Sequence, residues 1–374
     1  MHIVLDGRFL QDHFPGIARY TYDLALALGR QADRPVTVIV DPTTRNTHYD
    51  IDFLARAPGI TLRPIPAPIF RVSGFLRIAH ALALLHADVY HVPYYLKSPW
   101  TPCPCVSSIF DIISGRYSRF LPGLKARIAY TSAMLLAVRT SAKIIVPSRA
   151  TRDDLVDLYH ADSRSVATIP LGVSAHFRPS TPAIIQRLRE RYSLPSRFVL
   201  HVGINKPHKN LARLIEAFSV ADLPTEIGLV LVGPRDRRYP TGRELARYLG
   251  LQDRVIELEA VPTSDLPSLY SAASVFAFPS IYEGFGLPVI EAMACGTPVV
   301  CSNTGSLPEV VGSAAIIVDP FDVSGLAQGL KAMLDGSNDR AVFSQTGMER
   351  ASDYSWDATA EATWRVYREA HVSC

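Results

Sequence analysis

Short apolar runs alternate with segments of helical periodicity along almost the whole chain. The runs in the first half predict strands at residues 3–6, 36–40, 89–92, 106–110 and 144–147. Those in the second half predict strands at residues 198–202, 228–232, 255–258, 275–278, 299–301 and 315–318. Amphipathic helices such as 18–28 and 211–218 lie between the strands. This doubled α/β pattern predicts two Rossmann-like domains with parallel sheets, which bind ligands at the carboxyl ends of their strands.

The composition is that of a large soluble enzyme. The chain has 374 residues, of which 48% are apolar and 20% charged, enough for two or three domains. Its cysteines form no CxxC pair and no histidine cluster has zinc spacing, so we expect reduced thiols, no metal and no other cofactor. Residues 1–6 look like a strand rather than a signal peptide, and the most apolar stretch, 128–138, is too short to span a bilayer.

Charge is unevenly distributed between the two halves. Residues 1–150 contain 17 Lys and Arg against nine Asp and no Glu. From Arg71 to Arg149, ten basic residues are opposed only by Asp88 and Asp111. Part of this stretch interleaves basic residues with apolar and aromatic ones, namely Arg116, Tyr117, Arg119, Phe120, Leu121, Leu124, Lys125, Arg127 and Ile128. Such a mixture suits an anionic membrane surface or a lipid diphosphate, and a plain solvated face is the alternative.

The most specific chemical signal lies in residues 278–300, FPSIYEGFGLPVIEAMACGTPVV. An apolar strand leads through a glycine-containing loop to a helix with Pro288 in its first turn. Glycines allow close backbone approach, and the free amides of a helix start suit a diphosphate. Glu283 and Glu291 cannot serve an anion. They are therefore expected to accept hydrogen bonds from neutral hydroxyls at two parts of one extended ligand, such as a sugar and a ribose.

This stretch resembles, almost letter for letter, the motif of the retaining glycosyltransferases of family four, which have the GT-B fold. The resemblance implies two Rossmann-like domains that face each other across a cleft, with a last helix that crosses back to the N-terminal domain. It also implies that Glu283 binds hydroxyls of the transferred sugar and that Glu291 binds the nucleotide ribose. The backbone expected to hold the diphosphate belongs to Gly284, Phe285, Gly286 and Leu287.

The segment 169–179, rich in proline and glycine, is the expected linker between the domains. We predict an N-terminal acceptor-binding domain at 1–172, joined by a crossing helix at 357–374, and a C-terminal nucleotide-sugar-binding domain at 173–356. The resemblance is strongest over 198–319 and weak over 42–87, where we expect acceptor recognition.

A second chemical constellation is the sequence HVGINKPHKN at residues 201–210. A lysine at the start of a helix can reach a phosphate that the backbone also holds. The family has a similar loop that ends in PRKN, and the resemblance assigns diphosphate binding to Lys209. Many members carry arginine where this chain has Ile204, and His208 replaces the arginine of PRKN. Further donor contacts are expected at Gly203, Asn205, Lys206 and Val261.

Two segments of the first half also match family motifs. Residues 14–20, FPGIARY, resemble a loop beside the donor and acceptor, so a glycine turn is expected there with Gly16 and Arg19 at the substrate. After the strand 106–110 the family usually has His-Asp near the transferred sugar, whereas Phe110 precedes Asp111 here. Asp111 is a candidate catalytic residue, together with Glu283 and Lys209. His91, at the end of a neighbouring strand, is a candidate for the role of the missing histidine.

The sequence therefore predicts a metal-independent retaining hexosyltransferase. A nucleoside diphosphate sugar, with GDP-mannose favoured, would donate to a saccharide or lipid-linked acceptor in polysaccharide assembly. We expect a cytoplasmic location, with the inner face of the membrane as a candidate surface, and no nucleic-acid partner. A sugar-nucleotide epimerase and a non-catalytic nucleotide-sugar-binding protein of the same fold are the alternatives. A dehydrogenase is disfavoured because the loop of Gly284 and Gly286 lacks the third glycine of the dinucleotide fingerprint.

Overall fold

The chain forms two compact units in a computed structural model that describes residues 1–31, 34–117, 121, 123–335 and 339–372. Unit 1 comprises Met1–Gly172 and Ser355–Cys374, and unit 2 comprises Val173–Tyr354. Each unit is built on its own parallel β-sheet with helices packed against it. The predicted fold class, α/β with two Rossmann-like domains, is confirmed.

Seven parallel strands form the sheet of unit 1. They are β1 (Ile3–Asp6), β2 (Val36–Val40), β3 (Ile60–Pro64), β4 (Val89–Val92), β5 (Cys105–Ser108), β6 (Lys143–Val146) and β7 (Val166–Thr168). Their order is β3-β2-β1-β4-β5-β6-β7. The helices before the linker are α1 (Pro15–Gly29), α2 (Ile51–Arg56), α3 (Val72–Leu84), α4 (Ile113–Arg116), α5 (Gly123–Thr140) and α6 (Arg149–Tyr159).

The apolar pattern predicts the buried central strands of unit 1 but not the two strands at the edges of its sheet. Central strands such as β1 and β4 are buried at every residue, as expected for a parallel sheet covered on both faces. The strands β3 and β7 were not predicted. They lie at the two edges of the sheet, and in β3 only Ile60 is buried, so no continuous apolar run marks it.

Helices α3 and α5 pack on the same face of this sheet. Val92, Ser107 and Ile144 are aligned across β4, β5 and β6, and aligned residues of parallel strands point to the same face. Val92 shares a core cluster with Ile78 of α3, and Ile144 shares one with Met134 of α5. The basic stretch recognised in the sequence is therefore divided between helices on one side of unit 1.

Six parallel strands form the sheet of unit 2. They are β8 (Arg197–Val202), β9 (Ile227–Val232), β10 (Val255–Leu258), β11 (Val275–Phe278), β12 (Val299–Ser302) and β13 (Ile316–Val318). Their order is β10-β9-β8-β11-β12-β13. The helices are α7 (Pro182–Tyr192), α8 (Leu211–Val220), α9 (Gly242–Tyr248), α10 (Leu266–Ala272), α11 (Leu287–Ala294), α12 (Leu307–Val311), α13 (Val323–Leu334) and α14 (Asp339–Ser352). The carboxyl ends of β8 and β11 are therefore neighbours, because these two strands pair in the middle of the sheet.

The last helix, α15 (Trp356–Val372), belongs to unit 1 and packs against α1. Trp364 and Tyr367 are buried. Ion pairs hold the exposed side of the helix: Arg30 to Asp357 at 2.5 Å, Arg34 to Glu361 at 2.7 Å and Lys143 to Glu369 at 2.8 Å.

The predicted interleaved segment is exposed at its described basic residues and along α5, whereas Tyr117 and Leu121 are half-buried. Leu124 and Ile128 of α5 have 70% and 58% of their side-chain surface exposed, and Lys125 and Arg127 are exposed beside them. Arg119 and Phe120 of the same prediction lie outside the described residues. Within the described ranges, no helix has both the length and the apolar character needed to cross a membrane.

Candidate functional site

The loop after β11 carries Glu283 to the start of α11. Gly286, the residue before the helix, has a φ of 100°, a conformation that favours glycine. Pro288 is the second residue of the helix, where no backbone N–H is needed. The N–H and the hydroxyl of Ser306 both donate to the carbonyl oxygen of Glu283, at 3.2 and 3.1 Å. The predicted strand, glycine loop and helix start are thus confirmed, and the backbone of Glu283 is fixed.

Lys209 meets Glu283 directly. The lysine ends a short 3-10 turn, Pro207–Lys209, that follows β8, and its Nζ lies 2.6 Å from Oε1 of Glu283. Only 13% of the Lys209 side chain and 15% of the Glu283 side chain are exposed. The ammonium also lies 4.9 Å from the centre of the Phe278 ring. Two residues 74 positions apart therefore form one mostly buried ion pair at the carboxyl ends of neighbouring strands.

The ion pair keeps the carboxyl group of Glu283 ionised. Burial works to raise the pKa of Glu283, but the charge and hydrogen bond of Lys209, together with contributions from His208 and Ser280, outweigh it, so that the pKa is lowered. Next to the pair, burial and then the charge of Lys209 lower the pKa of His208 to about 4, with a smaller contribution from Lys206. His208 is therefore neutral at pH 7, and Lys209 and Lys206 are the cationic residues of this loop.

Glu291 lies one helical turn inside α11. It is buried, and the hydroxyl of Tyr270 donates to its Oε2 at 3.0 Å. Glu283 is on the loop and Glu291 on the helix, so the two carboxylates occupy different positions around the start of α11. A buried carboxylate oriented by a phenol is suited to accept hydrogen bonds from ligand hydroxyls.

The other residues of unit 2 that were predicted to contact the nucleotide sugar either hold the loops after the strands or pack against the core. Gly203 follows β8, and its N–H donates to the carbonyl of Val232 at 2.7 Å. The side-chain amide of Asn205 donates to three carbonyls of the 236–240 loop, at 3.1 to 3.2 Å, and thereby holds that loop. Val261 follows β10 and packs against the core of unit 2. The predicted substrate contacts of these residues stay predictions.

The predicted loop residues between the two glutamates have distinct roles in the structure. Phe285 is buried and packs edge-on against Tyr354, with ring centres 5.6 Å apart. Gly284 is buried, and Leu287 is the partly exposed first residue of α11. The aromatic side chain therefore anchors the loop, and the backbone of residues 284–287 is the part suited to bind an anion.

In unit 1, the predicted glycine turn before α1 is wrong in detail. The helix begins at Pro15, so Gly16 lies in its first turn rather than before it. A Cβ on Gly16 would meet no atom within 4 Å, and the protein fold itself therefore does not require glycine there. Arg19 lies one turn further, with its Nε 3.8 Å from Asp23 Oδ2. The predicted substrate contacts of Gly16 and Arg19 are not tested by this placement.

Asp111 and Phe110 follow β5, as predicted, but His91 does not take the role considered for it. Asp111 is exposed, and its Oδ1 accepts the N–H of Ile113 at 3.0 Å. His91 is fully buried, and its two ring nitrogens contact the hydroxyls of Tyr367 and Ser108 at 2.6 and 2.8 Å. Burial lowers the pKa of His91 to about 3. We correct the expectation accordingly: His91 is a neutral core residue that joins β4 to α15.

Sequence reasoning missed His201, the residue before the last of β8. Its ring is stacked on Phe278 at 5.7 Å, the same ring that Lys209 contacts. One signal in the sequence could have identified it: a histidine lies within an apolar strand that leads directly into a predicted phosphate-binding loop. The described part of the chain contains no group of three His, Cys, Asp or Glu side chains able to hold a metal ion.

Two Rossmann-like units, with a lysine, a helix start and two glutamates at the strand ends of the second, define a GT-B glycosyltransferase. A family model described as Glycosyltransferase Family 4 matches residues 15–177, and one described as Glycosyl transferases group 1 matches residues 185–350. The chain belongs to glycosyltransferase family 4.

Relatives and solved structures agree with this assignment. The chain is 32% identical over 311 residues to an O-antigen chain mannosyltransferase B of Escherichia coli, covering 82% of this chain and 81% of that protein. It is 32% identical over 371 residues to a D-inositol 3-phosphate glycosyltransferase of Salinispora tropica, covering 91% and 75%. Similar folds include a sucrose-phosphate synthase of Thermosynechococcus elongatus, with a TM-score of 0.79, 23% identity and full coverage of both chains. Another is Anabaena HepE in complex with UDP-glucose, with a TM-score of 0.75, 21% identity and 98% coverage of both.

Proposed function

We propose that this glycosyltransferase moves a hexose from a nucleoside diphosphate sugar to a saccharide or lipid-linked acceptor, with retention of configuration and without a metal ion. The observation that carries the proposal is the buried pair of Lys209 and Glu283 beside the first turn of α11. A cation, the start of a helix and carboxylates match the diphosphate and the hydroxyls of such a donor. The structure of HepE in complex with UDP-glucose supports the same class of donor.

In the proposed reaction, Lys209 and the amides of residues 284–287 stabilise the negative charge that grows on the leaving diphosphate. Glu283 accepts hydrogen bonds from hydroxyls of the transferred sugar, and Glu291 accepts them from the ribose. The bond from the anomeric carbon to the acceptor oxygen forms on the face from which the diphosphate leaves, and the leaving phosphate takes the acceptor proton. Configuration is then retained without a covalent intermediate, and the charge of Lys209 does the electrostatic work that a metal ion does elsewhere.

GDP-mannose is the donor we favour. The PHKN loop at Lys209 and the similarity to a mannosyltransferase of Escherichia coli support this choice. The inositol phosphate glycosyltransferase relative and the UDP-glucose complex are the reasons to include other nucleotides in the test.

We assign acceptor binding to unit 1. We further propose that the side of unit 1 formed by α3 and α5 contacts an anionic membrane. Large apolar residues are exposed there: Phe70, Val72, Leu76, Leu84, Leu124 and Ile128. Exposed basic residues accompany them: Arg71, Arg77, Lys125 and Arg127. Apolar side chains that insert between lipids and basic ones that pair with lipid phosphates form a combination suited to the inner face of a cytoplasmic membrane.

The donor class can be tested by thermal unfolding with GDP-mannose, UDP-glucose and ADP-glucose. A ligand at a hundredfold excess over its Kd stabilises the protein by about 2.7 kcal/mol. Transfer to mannose-terminated oligosaccharides in EDTA, followed by NMR of the anomeric proton, then checks metal independence and retention. An altered nucleotide sugar formed without acceptor would identify an epimerase, and binding without any turnover would identify a binding protein. Stabilisation by none of the three donors contradicts the proposal.

A further inference from the structure

Within the described part of the chain, one ring nitrogen of His201 is hydrogen-bonded and the other has no hydrogen-bond partner. The side chain is 1% exposed, and Nδ1 lies 3.0 Å from the carbonyl oxygen of Ala277. A carbonyl only accepts, so Nδ1 carries the proton of the neutral ring and Nε2 is left with its lone pair. Among the described residues, Nε2 is buried and has no hydrogen-bond partner. A buried acceptor without a donor is costly, which indicates a role beyond packing.

The lone pair of His201 lies next to Lys209. A Cβ on Gly203 would lie 3.2 Å from Nε2 of His201, and 3.6 and 3.7 Å from Cδ and Cε of Lys209. Nε2 and the end of the lysine chain are thus both within 4 Å of one point beside Gly203. The ring of Phe278 contacts both residues as well. The imidazole therefore lies near the lysine of the ion pair, and the charges of both Lys209 and Glu283 act on its pKa.

Burial keeps His201 neutral. Burial lowers its pKa to about 4, the carbonyl of Ala277 acts against that, and Lys209 lowers the pKa further while Glu283 raises it. Lys209 and Glu283 largely cancel each other because they are paired. His208, also neutral, is the other titratable group beside this pair, and Lys206 adds a positive charge to the same loop.

We propose that His201 takes up a proton from solvent when a nucleoside diphosphate sugar binds at Lys209. Each phosphate of the donor brings a negative charge beside the lysine. The net charge of Lys209, Glu283 and Lys206 is positive without the donor, and with its two phosphates the net charge around His201 becomes negative. An N–H bond then forms at Nε2 while Nδ1 keeps its bond to Ala277, and no bond of the protein is broken. His201 is a positioning residue in this account, because the imidazolium adds positive charge behind Lys209 without touching the substrate. The inference rests on the proposed donor site.

The proposal fixes the sign of a pH dependence. A group that holds more protons in the bound state than in the free state makes the affinity fall as pH rises. For His201, the pH range over which affinity changes runs from its low pKa in the free protein up to its higher pKa in the complex with the donor. Within that range the donor Kd rises by up to about tenfold per pH unit, the limit for one proton.

The test is titration calorimetry of the whole protein with GDP-mannose, and with UDP-glucose as a second probe. A nucleotide sugar has no phosphate group that titrates near neutral pH, so proton exchange reports on the protein. Measurements at pH 5.5 and 7.5, each in two buffers of different ionisation enthalpy, give the number of protons taken up. The variant His201→Phe keeps the stacking on Phe278 and removes Nε2, His201→Gln is a second variant in case that one folds poorly, and His208→Gln is the matched control.

We expect net uptake at pH 5.5 in the wild type and in His208→Gln, and its loss in His201→Phe together with a flat pH dependence of Kd. Binding without uptake in the wild type, or uptake that survives in His201→Phe and His201→Gln, would overturn the assignment to His201 while leaving the donor site intact. If neither nucleotide sugar binds to the wild type, the proposed function fails, and the inference fails with it.

Discussion

Nζ of Lys209 lies 2.6 Å from Oε1 of Glu283, so two residues predicted to bind adjacent parts of one donor, its diphosphate and its sugar, form an ion pair with each other. A diphosphate that binds Lys209 must share the ammonium with a carboxylate that is already there. Residues in direct contact do not contribute independently, and a substitution at either one changes the charge balance at the other. Each variant of this pair therefore needs a measurement that separates binding of the nucleotide from turnover.

We predict that Lys209→Ala lowers kcat/KM by at least about a hundredfold. Loss of one electrostatic contact to a leaving group typically costs about a hundredfold to a thousandfold in rate. Lys331→Ala is the matched control, because Lys331 also pairs with a carboxylate, that of Asp222, but is more exposed than Lys209 and distant in sequence from both site loops. Steady-state kinetics with the full donor check the prediction, and wild-type kcat/KM in Lys209→Ala would remove the lysine from the site.

The same variant should change how stability depends on pH. In the wild type the lowered pKa of Glu283 contributes stability above its ordinary value near 4.5, and this is lost as pH falls. Without Lys209 the largest interaction that opposes burial is lost, so that pKa rises and the carboxyl group of Glu283 destabilises the protein at neutral pH. Breaking a buried ion pair costs about 3 to 5 kcal/mol.

Thermal unfolding at pH 4.5 and pH 7.5 can measure this difference. The gap in Tm between the wild type and Lys209→Ala should be larger at pH 7.5, because Glu283 is ionised in the unfolded chain there, which favours unfolding of a variant whose folded-state pKa is raised. The double variant Lys209→Ala/Glu283→Gln provides the control. It has no carboxylate at position 283 to titrate, so its difference in Tm from the wild type should vary less with pH than that of the single variant. A gap independent of pH in the single variant would mean that Lys209 does not govern the ionisation of Glu283.

Much of the fold was predictable because parallel strands leave a simple signal. Strands such as β9 and β11 are buried at every residue and appear as unbroken apolar runs. The edge strand β3 has exposed polar positions and leaves no such run. The start of α11 was predictable as well, because Gly286 and Pro288 each have a specific conformational reason to be there.

The side-chain partnerships were not predictable in the same way. The contact of Lys209 with Glu283 requires β8 and β11 to be neighbours, and strand order is not encoded in the local pattern. His91 looked available because it ends a strand, but the return of α15 places Tyr367 against it. Local sequence therefore identified the loops, and the tertiary arrangement decided which side chains meet.

Glu291→Ala should weaken the binding of the bare nucleoside diphosphate. The ribose is common to substrate and product, and hydrogen bonds to a charged group contribute about 1.5 to 3 kcal/mol, equivalent to roughly tenfold to a hundredfold in Kd. Tyr270→Phe should have a smaller effect, because the phenol only orients the carboxylate. Calorimetry with GDP and UDP checks both variants, and unchanged affinity in Glu291→Ala would contradict the ribose assignment.

Unit 1 should bind anionic vesicles in a salt-sensitive manner. Reversing two exposed charges on α5, with Lys125→Glu and Arg127→Glu, should abolish flotation with vesicles that contain phosphatidylglycerol. Raising the salt concentration should do the same, because the Debye length falls from about 10 Å at 0.1 M to about 3 Å at 1 M. Arg243→Glu with Arg247→Glu, two exposed positions on α9 of unit 2, is the matched control. Equal flotation with neutral and anionic vesicles, or none with either, would favour a soluble acceptor.

The last prediction separates the two glutamates. If Glu283 binds the transferred sugar and Glu291 the ribose, Glu283→Gln should keep nearly the wild-type affinity for the bare nucleoside diphosphate. It should lower kcat/KM with the full donor by about tenfold to a hundredfold, because a carboxylate that accepts from two hydroxyls loses its charge and one acceptor.

The ion pair adds a second expectation for Glu283→Gln. The amide oxygen can still accept from Lys209, but the charge that restrains the ammonium is gone, so Lys209 is freer to bind the diphosphate. Affinity for the bare nucleotide should therefore stay the same or increase, whereas Glu291→Ala lowers it. Calorimetry with the nucleoside diphosphate and kinetics with the full donor must be done on the same preparation. A loss of nucleotide affinity in Glu283→Gln as large as its loss of turnover would show that the two glutamates do not divide the donor between them.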